Sequence, residues 1–466
     1  MGTAILNEAK QKSEKAAPGG YGLRTGILSQ AETLAQSLSS IAPTACVAMG
    51  IPLVIAASGL WAWLAFLVAT VAVLLVAANV NVFARDSASP GSLYGFVRAD
   101  LGHRAGVLTG WALLIAYVAT ASAVTGGIVQ YTQTLFSGQS PPITGSIALI
   151  LVSVATAAAF AYRNVELSAR FMLWIECISV AAIVLLFVFP SHADRLIWDA
   201  RQFKVSAFRL APLGSGLVLA TFSFVGFESA TALGAEAKSP LRTIPRAMLV
   251  TVLLSGIFFV FSAYAEVAGF GGNLGVLASS GAPLQVLADL KGLHWIVPII
   301  SLGALISFFA CVLASITAAA RIALLMSRHG LLAQYLDQVH DQHRTPYAAV
   351  LVTSVATLVP ALLLTLGHVS AFDLYGWLGT VSTYGFVTAY VLVVIAAPVH
   401  LFRRQQLNVW KVALSLAALL FLGATCIGSL NSGAVGPGKW LAPTYLGLLL
   451  SGCVWTLLRS TSRATS

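Results

Sequence analysis

From Leu34 to Leu458 the chain is a succession of apolar runs, each near twenty residues, joined by short polar links. A helix of about twenty residues crosses the roughly 30 Å hydrocarbon core of a bilayer. In lipid every backbone polar group must be bonded internally, which leaves helices or a closed barrel, and runs of this length select helices. The runs predict an all-α polytopic membrane protein. Twelve transmembrane helices are expected, near 34–56, 60–84, 105–136, 143–162, 168–190, 212–234, 247–270, 295–326, 347–367, 373–399, 409–429 and 440–458. Spans three and eight exceed the bilayer thickness, so they tilt or extend beyond it.

Charge agrees with that class. Only 9% of residues are charged, against about 25% in a soluble domain. The net charge of +10 does not signal nucleic acid, because the basic residues sit in short links where they set topology. With the N-terminus in the cytoplasm, Arg195, Arg201, Lys204, Arg209, Lys291 and Lys439 lie outside, and the other 20 of the 26 Lys and Arg lie inside. Both termini are therefore expected in the cytoplasm, with the cell membrane as location. The outer loop 190–211 is expected to form a short surface helix. Met1–Arg24 carries Lys10, Lys12 and Lys15 but no apolar core of a signal peptide. The five cysteines fall in apolar segments without metal-ligand spacing, and His340-x-x-His343 falls in a loop. No metal or other cofactor is expected.

Two spans are interrupted. Span one contains SSIAPTACVAMGIP, with Pro43 and Pro52, and span six contains FSFVGFES, with Gly226 and Glu228. A carboxylate at membrane depth costs about 2.5–3.5 kcal/mol on insertion scales, and a mid-helix glycine about 1 kcal/mol. Spans one and six are corresponding members of two five-helix halves running in opposite directions. Paired broken helices in such positions point to a carrier's binding site.

The stretch FSFVGFESATALGAEAKSPLRTIPRAM (222–248) resembles the sixth-helix signature of amino acid permeases of the amino acid–polyamine–organocation superfamily. SPGSLYGFVRADLG (89–102) and ITAAARIALLMSRHGLLAQYLDQVHDQHRTPYAAV (316–350) are similar to two other family motifs. The resemblance implies a leucine-transporter-like five-plus-five inverted repeat with two extra helices. Residues 1–30 would be a cytoplasmic tail, 31–400 the ten-helix transport core, and 401–466 two peripheral helices and a tail. One departure stands out: where many members have a glycine-rich break, this chain has Ile41-Ala42-Pro43-Thr44-Ala45-Cys46.

A broken helix presents N–H groups and partial positive charge at one end, carbonyls and partial negative charge at the other. A zwitterion fits between them. Its carboxylate would meet the amides of Thr44, Ala45 and Cys46. Its ammonium would meet carbonyls near Ile41, Ala42, Phe224 and Val225, with Gly226 giving the backbone freedom to unwind. The resemblance implies an aromatic gate at Phe222, while Phe224 and Phe227 read as packing. Glu228 either exchanges a proton or bonds to the first span. Glu176, in span five, stands where some proton-coupled relatives have lysine. It is a proton carrier, a cation ligand with Ser315 or Thr317, or the partner of an arginine. Tyr117 faces the cavity or bonds to a neighbouring helix, and Tyr384 and Ser382 are weaker candidates. Glu266 and Asp373 are placed at wet span ends, and Glu236 either pairs with a linker base or is solvated. Pro245 is placed in the first turn of span seven.

An embedded enzyme would need clustered His, Asp, Glu or Ser in the spans, so no enzyme is expected. The expected function is import of an amino acid or related amine, with protons preferred to sodium for coupling. The alternative is a polyamine, monoamine or inorganic cation transporter or exchanger on the same fold.

Overall fold

A computed structural model describes residues 21–136, 142–163, 166–189, 199–204, 209–432 and 436–464. Residues 1–20 of the expected tail lie outside them. So does most of loop 190–211, where the described Ala200–Phe203 forms one 3-10 turn. The described residues form helices, and no strand occurs among them beyond an isolated bridge between Leu28 and Ala237.

The first helix, α1 (Gln30–Ile41), begins where Ser29 and Glu32 close a capping box. It ends at Ala42, because the following proline disfavours helix there. Ala42 instead takes a left-handed conformation at φ 52°. The chain resumes as α2 (Pro43–Ala45), widens into a π-helical turn over Cys46–Gly50, and continues as α3 (Ile51–Ser58). Helices α4 (Ala62–Ala84), α5 (Ser92–Leu101), α6 (His103–Leu135), α7 (Ile143–Arg163) and α8 (Glu166–Val188) follow.

The second interruption lies after α9 (Leu210–Phe222). Gly226 is left-handed at φ 85°, and Phe227–Leu233 is a 3-10 rather than an α-helix. Next comes α10 (Pro240–Gly269), which starts earlier than the sequence suggests. Pro240 supplies the favourable first-turn proline, so Pro245 falls inside the helix. Short helices α11 (Leu274–Ser279) and α12 (Pro283–Leu290) lead to α13 (Val297–Arg328), α14 (Tyr347–Leu366), α15 (Ala371–Arg403), α16 (Val409–Ser432) and α17 (Leu441–Ala464).

Among the described residues, nine helical segments are long and apolar enough to cross a membrane. The first of them, Gln30–Ala84, has 55 residues, about 80 Å of helix and enough for two crossings. Lipid-facing surface is evident on α14, where Leu351, Val355, Val359, Leu363 and Leu366 form an exposed apolar stripe. A soluble monomer rarely leaves a continuous patch of that kind to water. Inside, α6 is close to α13 and α15. A side chain on Gly127 would strike the Phe308 ring, and one on Gly126 the Ala371 carbonyl. Small residues at such crossings let membrane helices pack closely.

Candidate functional site

The two interruptions meet. A Cβ on Gly226 would lie 2.1 Å from Ser40 Oγ of α1. Ser37 donates to the Phe227 carbonyl at 2.7 Å and Ser229 to the Gln36 carbonyl at 3.2 Å. These bonds tie the two broken segments together, and Cys311 Sγ donates to the Ser40 carbonyl at 3.2 Å, a group that the first break releases from its helix ladder.

Between the breaks lies a cavity of about 10 Å³, room for one water-sized molecule. Six of the expected residues line it: Ile41, Ala42, Ala45, Cys46, Phe222 and Val225. Ser40, Thr120, Ser223, Cys311 and Tyr375 complete the polar side of its wall. Phe222 is edge-on to Tyr375, with ring centroids 5.5 Å apart. It is also seated on Gly379, where a Cβ would lie 2.6 Å from the Phe222 ring. An aromatic pair is therefore part of the cavity wall, and the sequence reading had only one member of it.

Other expected residues do not reach the cavity. Phe224 is edge-on to Phe259 at 5.2 Å, and its carbonyl accepts from Phe227 N–H. Phe227 lies against Tyr390. Ser382 bonds to Thr120, while Tyr384 lies against Tyr445 of α17. Tyr117 is fully buried and donates to Glu228 Oε1 at 2.7 Å; Tyr390 donates to Oε2 at 2.8 Å. Glu228 is thus tied to α6 and α15, not to the first span. Charge-assisted bonds of this kind contribute about 1.5–3 kcal/mol each.

Glu176 corrects the expected geometry most. Thr44 N–H donates to Glu176 Oε1 at 2.7 Å, Ala45 N–H to Ser307 Oγ at 3.3 Å, and Cys46 N–H to the Ala42 carbonyl at 2.9 Å. The three amides reserved for a substrate carboxylate are engaged, the first by a carboxylate of the protein itself. The α13 residue beside Glu176 is Ser307, not Ser315. Ser315 lies eight residues further along α13, near Cys311, about 12 Å away along the axis.

Two other carboxylates differ from expectation. Glu236 is buried and pairs with Arg321 of α13, not with a linker base: Nε and Nη2 each donate at 2.7 Å. The backbone carbonyl of Glu236 also accepts from Ile27 and Leu28 N–H, so the N-terminal segment closes over the same end of the bundle. Glu266 is fully buried rather than wet. Leu287 of α12 packs on Gly269, and Gln202 bonds to the Tyr264 carbonyl, which covers that end of α10. Asp373 is exposed as expected and caps α15 through Ser370. Arg321 sits inside an expected span, in ITAAARIALL, and that placement was the available signal.

Residues 33–433 match the family model described as Amino acid permease. The chain is 27% identical over 338 residues to Branched-chain amino acid permease BcaP of Bacillus subtilis (strain 168), covering 67% of this chain and 71% of that one. It is 26% identical to Low-affinity putrescine importer PlaP of Escherichia coli (strain K12), covering 63% and 66%. It is also 26% identical to Cationic amino acid transporter 4 of Mus musculus, covering 71% and 53%.

Proposed function

The chain belongs to the amino acid permease family, and on that premise we propose that it is a proton-coupled secondary carrier importing an amino acid by alternating access. Its layout is two inverted five-helix halves with α16 and α17 outside them, twelve spans in all. Both termini are cytoplasmic, so the Glu236–Arg321 pair closes the inner end. The cavity between the breaks is the substrate site in a closed conformation, with Phe222 and Tyr375 as its gate. Admitting an amino acid requires the half-helices to part.

The observation that carries this reading is the bond from Thr44 N–H to Glu176. A substrate carboxylate and the Glu176 carboxylate compete for one helix end. When the substrate wins, Glu176 loses its donor at membrane depth, where a lone charge is costly and protonation relieves the cost. One proton then enters with each zwitterion, whose ammonium meets the carbonyls of Ile41 and Val225. Glu228, held by two tyrosines, braces the inner half of span six against α6 and α15.

The test is Glu176→Gln in reconstituted vesicles. Its uptake is expected to lose the wild-type dependence on pH while exchange of labelled for unlabelled substrate persists. Retention of the wild-type pH profile would remove Glu176 from the coupling step.

A second reading is favoured by the same bond. With all three amides engaged, a substrate without a carboxylate needs none of them, and Glu176, held at the first break, supplies the negative charge that attracts an organic cation. The relative named as a putrescine importer fits such a substrate. Uptake of diamines, with amino acids excluded, would establish it.

A further inference from the structure

Glu266 lies one turn before the end of α10, and its side chain is fully buried. Among the described residues, no protein group bonds to either carboxyl oxygen. A charged carboxylate without donors is costly in a membrane interior, whereas a carboxyl that keeps its proton is not. Ionisable residues buried in membrane bundles mark ion and proton pathways.

The surroundings of Glu266 suit a proton. Cys46, in the π-helical turn of span one, and Tyr131 of α6 are titratable side chains close enough to feel its charge. Tyr131 donates its hydroxyl to the Ala48 carbonyl of the same turn. Arg201, near the end of α10, is committed to both oxygens of Asp199 and to the Gly271 carbonyl. Among the described residues, no three metal-ligating side chains converge.

One face of α10 runs from Glu266 towards Glu176, with Ser262 one turn from Glu266 and Ser255 about 10 Å further along, an interval that bound water has to bridge. Thr251, Ser255, Ser262 and Glu266 fall within about 60° of one another around the helix. All three hydroxyls are buried and have no protein partner among the described residues. Ser255 borders a groove whose wall includes Pro43 and Glu176. From Glu266 to Ser255 is about 16 Å along the axis.

We propose that Glu266 is the outer proton port of the carrier, passing protons along this hydroxyl face to Glu176. Each transfer takes one proton from the Glu266 carboxyl to the Glu176 carboxylate, and the outer medium reprotonates Glu266 when α12 and the Ala200–Phe203 turn, which cover it here, move aside. The hydroxyls, and water bound to them, form the path. This rests on the reading of the protein as a proton-coupled carrier.

The experiment compares wild type, Glu266→Gln and Glu266→Asp in proteoliposomes under an inward pH gradient, with leucine as probe. Infrared difference spectra of the same samples read the carbonyl stretch of neutral carboxyl groups. Glu266→Gln is expected to lower gradient-driven accumulation by about tenfold or more, as loss of a positioned acid–base group does. It is expected to keep leucine counterflow and to lack one neutral-carboxyl band, and Glu266→Asp is expected to recover much of the accumulation. Wild-type accumulation in Glu266→Gln, or an unchanged infrared spectrum, overturns the proposal. So does a variant whose defect follows added Na⁺ or K⁺ instead of the pH gradient. If wild type itself ignores the gradient, the coupled-carrier reading fails and the port fails with it. A band lost in Glu266→Gln would then still mark Glu266 as a neutral carboxyl, which separates the two failures.

Discussion

Arg321→Met is expected to lower stability by about 3–5 kcal/mol, the cost of leaving one member of a buried ion pair without its partner. Arg321 is 2% exposed, and its guanidinium grips both oxygens of Glu236 while a third donor reaches the Thr317 carbonyl. Removing it leaves the Glu236 charge between α13 and the segment that follows the 3-10 helix. That charge is relieved by opening to water, so the variant is expected to favour a conformation open at this end. Thermal unfolding in detergent measures the loss, and thiol labelling of a cysteine introduced nearby measures the opening. The double variant Arg321→Met, Glu236→Leu should regain most of the stability, because an apolar pair can replace a buried ion pair. A single variant as stable as wild type would show that the pair does not hold this end closed.

Gly226→Ala is expected to abolish uptake. Two costs add at this position. The left-handed backbone disfavours a Cβ by about 1–2 kcal/mol, and overlap with Ser40 Oγ at 2.1 Å adds about 1–3 kcal/mol of overpacking. Relieving either cost separates the two breaks that enclose the cavity. The double variant Gly226→Ala, Ser40→Gly removes the overlap but keeps the backbone cost, so partial recovery is expected from uptake assays. Full activity of the single variant would mean that the breaks do not need this contact.

Much of this arrangement was legible in the sequence, and the rest was not for identifiable reasons. Apolar run length placed the long helices, and Pro43 and Gly226 marked where two of them stop. Six of the residues expected around the substrate do line one cavity. Most of the misplacements depend on how distant segments pack. Ser307 and Ser315 lie on the same helix, and only the crossing of α8 with α13 decides which of them meets Glu176. Tyr117 and Tyr390 are 273 positions apart and converge on one carboxylate. Glu266 read as wet because it is near a helix end, but α12 and the turn Ala200–Phe203 cover that end. Glu236 read as a linker residue because its partner lies 85 positions away in another span.

The most direct measurement is a thermal-shift panel on purified protein, comparing leucine with its decarboxylated amine and with putrescine at acidic and neutral pH. A ligand that binds the folded state raises its stability, by about 2.7 kcal/mol at a concentration one hundred times its dissociation constant. Stabilisation by leucine, stronger at acidic pH, absent for both amines and weakened in Phe222→Ala, is the result expected if a substrate carboxylate displaces Glu176 from Thr44. Stabilisation by the amines with none from leucine would contradict that exchange and make Glu176 the group that recognises the substrate's cation.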